Sequence, residues 1–121
     1  MKRFIPFALL LSIGGIAGAA TQPQNPAAWR RAQRQVEADR ETIIAHKARL
    51  KEDEATLDRD VRKLKADTKA MKAGIVSPSR VARDERVKLE DEQQIRRDKE
   101  RLKRDKERLS LDEKRAKELS R

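Results

Sequence analysis

From Trp29 to Met71 an apolar residue returns every seven positions: Trp29, Val36, Ile43, Leu50, Leu57, Leu64 and Met71. After an interruption the spacing resumes at Val81 and continues through Lys88, Ile95, Leu102, Leu109 and Ala116. Lys88 is the one polar defect, and Val87 and Leu89 flank it. A seven-residue apolar period is that of a helix laying one face along another helix. The interruption reads KAGIVSPSR, residues 72–80. Gly74 suits the left-handed position that ends a helix, with Ile75 as the hydrophobic residue that often follows. Ser77-Pro78 is an N-cap with proline at the first helical position, and Asn25-Pro26 repeats that pairing before the first arm.

The pattern predicts helices over residues 27–73 and 79–120, joined by a turn at 74–78. At 1.5 Å per residue these arms would be about 70 and 60 Å long. Two arms of similar length on a short turn predict an all-α fold: a long antiparallel helical hairpin or coiled coil with heptad repeats. Folding back sets Met71 near Val81, Leu57 near Ile95, Leu50 near Leu102 and Ile43 near Leu109. The competing arrangement is one long helix bent near Gly74 and held by charge pairs instead of burial.

A second row runs beside the first. Three places after the apolar positions stand Asp39, His46, Asp53, Asp60 and Asp67 on the first arm. Asp84, Asp91, Asp98, Asp105 and Asp112 hold the same places on the second. A coiled coil would put further apolar residues there. Asp98, Asp105 and Asp112 each have an arginine three places on, namely Arg101, Arg108 and Arg115. Glu100 with Arg104 and Glu113 with Lys117 add acid-first pairs four apart, the favoured orientation. The row is therefore expected to form a solvated acid–base ladder at the edge of the seam. Each pair would contribute about 0.2–0.5 kcal/mol and weaken in salt. Such acids would also disfavour unwanted registers. They are not expected to hold metal, because successive members lie about 10.5 Å apart along the axis. Calcium takes six or more oxygens around one point.

The first twenty-two residues, MKRFIPFALLLSIGGIAGAATQ, change the picture from fold to destination. Lys2 and Arg3 precede a short apolar run, Phe4 to Ile16, and small residues follow at 17–20. This is the layout of a bacterial-type signal peptide over residues 1–20, cleaved after Ala19 or Ala20. Residues 21–26, with Pro23 and Pro26, read as a linker, and residues 27–120 as the charged hairpin. The chain is expected to be exported, periplasmic or secreted, with no membrane span once the signal is removed. A retained anchor is the alternative, opposed by Pro6 and by glycines at 14, 15 and 18.

Composition then limits the chemistry. The part from Thr21 holds 17 Leu, Ile and Val and no Phe in 101 residues. That is about 17%, too little for an ordinary globular core or an enclosed pocket. With no cysteine and one histidine, no disulfide, thiolate site or catalytic constellation can be assembled. Neither an enzyme, a cofactor nor a small-molecule substrate is expected.

The part beyond the signal keeps 29 of the 31 Lys and Arg against 21 acids, a net charge of +8. Residues 95–115 hold ten bases and six acids. Arg96, Arg97, Arg101, Lys103, Arg104 and Arg108 are the candidate anion-binding residues, for nucleic acid or an anionic envelope polymer. With one Trp and no other aromatic there, base-stacking platforms are missing. Nonspecific polyanion binding is therefore the alternative reading. The leading expectation is protein–protein association in the envelope as a structural, adaptor or chaperone-like protein. Its interaction seam comprises Trp29, Val36, Ile43, Leu50, Leu57, Leu64, Met71, Val81, Ile95, Leu102 and Leu109, with self-association or a protein partner implied. Trp29 is expected to pack at the open end, and His46 stands in the acid row as its one titratable departure near neutral pH.

Overall fold

A computed structural model describes residues 23–121. The expected signal peptide, with its cleavage point, lies outside the described residues. Two helices, α1 (Pro26–Lys72) and α2 (Pro78–Leu119), pack against each other as an all-α helical hairpin, with no strand among the described residues. The bent single helix is not the form the chain takes.

The ends of both helices follow from their local chemistry. The Asn25 side chain accepts a hydrogen bond from the Ala28 amide at 3.1 Å, and the Trp29 amide donates to the Asn25 carbonyl at 3.0 Å. The Ala28 amide, unpaired within the helix, is thus capped, the Trp29 bond is the first of the helix's own, and Pro26 has no amide to satisfy. At the other end Gly74 adopts φ 77°. The Gly74 amide donates to Met71 at 2.9 Å and the Ile75 amide to Ala70 at 2.8 Å. Those paired bonds are the Schellman termination, which needs a left-handed residue at this place. Ile75 itself is 76% exposed, so the hydrophobic contact that often accompanies the motif is not made. At the start of α2 the Ser77 backbone carbonyl accepts the Arg80 amide at 3.1 Å, while the Ser77 hydroxyl pairs with that of Ser79 at 3.0 Å.

The chain divides into two compact units. Asp39–Arg108 forms one, with the turn inside it; the other joins α1 up to Ala38 with Leu109–Arg121. In the second unit Val36 and Ala116 are buried, while Trp29 and Leu109 are half-buried. In the first, Ile43, Val81, Ile95 and Leu102 are buried. Leu50, Leu57, Leu64 and Met71 are half-buried there, as is Lys88 in the defective position.

The acid row is where the structure corrects the sequence reading. Asp39, Asp67, Asp84, Asp98 and Asp105 are buried with the apolar residues, not solvated beside them. Asp98 is 2% exposed, less than any buried apolar side chain, of which Val36 at 3% is the nearest. The reason is angular. Three residues are nearly one helical turn, so the acids stand on the same face as the apolar row and enter the seam with it.

Candidate functional site: acids paired inside the hairpin

Because both arms carry the row at the same offset, an antiparallel fold brings acid to acid. Within Asp39–Arg108 the pairs descend seven residues at a time on each arm. His46 meets Asp105, Asp53 meets Asp98, Asp60 meets Asp91, and Asp67 meets Asp84. Facing carboxylates in a partly desolvated seam repel, so each rung must find a compensating group or share a proton.

The rungs differ in how this is done. At the first, His46 Nδ1 lies 2.5 Å from Asp105 Oδ2, with the Asp105 side chain 7% exposed. At the second, Gln94 donates to Asp98 at 3.0 Å, and the charges of Arg49 and Arg101 act on the same carboxylate. Burial pushes Asp98 up, but the hydrogen bonds from Asp53 and Gln94 and these two arginines hold it below the usual carboxylate range. Asp53 moves the other way, raised first by its hydrogen bond with Asp98 and then by burial.

The fourth rung is compensated by charge. Lys63 Nζ lies 3.4 Å from Asp84 Oδ1, and Arg80 Nε lies 3.3 Å from Asp67 Oδ2. Asp84 is lowered, first by its hydrogen bond with Asp67 and then, against the push of burial, by Lys63. The third rung has no such help. Asp91 is raised to about 6, first by burial, then by the hydrogen bond and charge of Asp60, with Glu90 and Asp53 adding negative charge. Its Oδ2 is shut from solvent without a hydrogen-bond partner.

Outside the seam the basic residues point to water. Arg96, Arg97, Lys103, Arg104 and Arg108 are exposed, and Arg101 is half-buried. Arg97 donates to Gln94 at 2.9 Å, and Arg104 lies 3.9 Å from Glu100, the acid-first spacing read in the sequence. The concavity lined by Ala28, Arg31, Ala32, Gln35, Asp112 and Arg115 has a volume of about 200 Å³. It is smaller than the usual small-molecule site of ~300–1,000 Å³. Among the described residues no three His, Asp or Glu converge as metal ligands, and no helix is long and apolar enough to cross a membrane.

The seam residues named from the sequence thus fall into two groups, buried (Val36, Ile43, Val81, Ile95, Leu102) and half-buried (Trp29, Leu50, Leu57, Leu64, Met71, Leu109). The sequence reading places the acids in a solvated ladder at the edge of the seam; the structure buries five of them and pairs acids across the hairpin. The signal for it was present: equal offsets on two arms, combined with the Leu57–Ile95 and Leu50–Leu102 layers, leave Asp53 and Asp98 facing each other. Comparison with known proteins finds no family model, curated protein or solved structure that matches this chain.

Proposed function

We propose that the chain is an exported, non-enzymatic helical protein that works by protein–protein association in the cell envelope, with a second copy or with a partner helix. One observation carries the reading: the apolar row of α1 is incompletely covered from Leu50 to Met71, although Val36 and Ile43 before it are buried. Leu50, Leu57, Leu64 and Met71 are half-buried, whereas Val81, Ile95 and Leu102 on α2 are buried. Val61, between Leu57 and Leu64, is half-buried as well and widens the apolar flank. A helix that meets one neighbour leaves such a flank to be covered by another, and an amphipathic helix is the partner whose shape and period fit it. The n-region, apolar run and small residues at the N-terminus support export.

The decisive experiment is molar mass by light scattering across protein concentration, with helicity followed by circular dichroism. Mass should rise with concentration in the unaltered protein. Val61→Glu and Leu57→Asp should keep the mass at that of one chain, Val61→Glu with helicity intact. A constant monomer mass, and no capture of an amphipathic helix, would overturn association.

A second reading rests on the exposed basic residues of α2. Arg96, Arg97, Lys103, Arg104 and Arg108 support salt-sensitive, nonspecific binding of a polyanion. Retention on a heparin matrix that falls with Arg97→Gln, Arg101→Gln and Arg104→Gln together, and is untouched by Val61→Glu, favours it.

A further inference from the structure

We propose that the hairpin holds one proton between Asp60 and Asp91, and that gaining or losing this proton tightens or loosens the seam around it. The proposal is independent of what the hairpin associates with. It rests on three features of the rung. Asp60 and Asp91 come from opposite arms and are within hydrogen-bonding reach, both half-buried. Asp91 Oδ2 is enclosed and lacks a hydrogen-bond partner, as do Asp98, Asp67 and Asp84 Oδ2 on the neighbouring rungs, whose other contacts bring in a base or an amide. The neighbouring rungs each have a base or amide engaged with an acid, and this one does not.

The charged surroundings can be followed element by element. From α1, Asp60 faces Asp91 directly and Asp53 adds negative charge from one heptad away. From α2, Glu90 does the same. Lys63, on the turn of α1 after Asp60, is engaged with Asp84 at 3.4 Å. Lys88 lies half-buried in the apolar row, a turn before Asp91.

A single proton resolves both difficulties. One carboxyl then donates to the other, which supplies a bond to a carboxyl otherwise shut away, and the pair carries one negative charge instead of two. When the proton leaves, two carboxylates face each other with Leu57 and Leu64 on either side. The relief available to them is local separation of the arms, which admits water. The raised titration of Asp91, to about 6, agrees with this arrangement. The sign follows: an acid raised in the folded state stabilises it at low pH, and that contribution is lost as pH rises through about 6.

The test is urea unfolding of the purified protein at pH values from 3.5 to 8, followed by circular dichroism. Stability should fall between about pH 4 and 6 and stay level above, by at most about 160-fold in the folding constant, the ratio that separates Asp91 from an isolated aspartate. In the double variant Asp60→Asn, Asp91→Asn, an amide pair that stays neutral, the fall should disappear. Because imidazoles change charge in the same window, the fall should persist in His46→Gln. Carboxyl-carbon NMR on the unaltered protein gives a reading that does not depend on any variant folding. An Asp91 midpoint near 6 is expected, and one near 4 would overturn the proposal. So would a fall that survives in the double variant.

Discussion

His46 Nδ1 lies 2.5 Å from Asp105 Oδ2 across the hairpin, a bond between residues 59 positions apart. It replaces a like-charge rung with a donor and an acceptor, and it pins the register of the two arms at that height. The Asp105 side chain, 7% exposed, has little water to turn to if the ring is removed. His46→Leu should therefore destabilise the hairpin by about 1–3 kcal/mol, the cost of leaving a buried acceptor unmade. His46→Gln should recover much of it. Urea unfolding of the two variants checks the difference.

Burial sets a gradient for the apolar row. Leu102 is 7% exposed, and Leu102→Ala should cost about 2–5 kcal/mol. Leu50, half-buried on the opposite arm, should cost less when changed to alanine. Leu111 is 67% exposed, so Leu111→Ala should stay within about 0.5 kcal/mol of the unaltered protein. Equal losses at all three positions would contradict the packing described. The measurement is thermal or urea unfolding at one protein concentration, since association would shift the apparent stability.

Gly74 tests the turn. No atom would meet an added Cβ within 4 Å, so Gly74→Ala changes no contact. Its cost is the left-handed backbone at φ 77°, about 1–2 kcal/mol for a residue with a side chain. Ile75→Ser, at a position 76% exposed, should be close to neutral. Hydrogen exchange at the Gly74 and Ile75 amides should quicken in the first variant and not in the second.

The Asp67–Asp84 rung predicts a pH dependence opposite to that of Asp60–Asp91. Asp84 is lowered, by its bond with Asp67 first and by Lys63 after it. A lowered acid stabilises the folded state above its ordinary value of 3.8 and stops doing so as pH falls through its folded value. Stability should therefore decline on the acid side below about pH 4, while the third rung weakens the hairpin progressively from there up to about 6, above which its effect is level. A maximum near pH 4 is the expected outcome. Lys63→Met with Arg80→Gln should flatten the acid-side decline without moving the step near pH 6.

The hairpin and its ends were legible because they rest on local rules. Asn25-Pro26, Gly74 and Ser77-Pro78 each specify a helix boundary by backbone chemistry, and the sevenfold spacing specifies which face is covered. The burial of the acids was harder to read. Arg101, Arg108 and Arg115 stand three places from Asp98, Asp105 and Asp112, and such neighbours offer a sufficient account of an acid on a lone helix. The cross-arm account needs the register as well, and then competes with a general expectation that aspartate stays in water. The uneven covering of Leu57 and Ile95 was not legible at all. It depends on how far each helix is rotated about its own axis, which a repeat of seven leaves open.

The regular descent of the rungs from His46–Asp105 to Asp67–Asp84 makes this stretch a measured spacer. Seven residues added to each arm between two rungs would insert one more apolar layer and one more acid pair, leaving both ends chemically unchanged. The same addition to one arm alone would put every later rung out of step with its mate. Length in this molecule is thus adjustable in paired increments of about 10.5 Å, the rise of seven helical residues, and in no smaller amount.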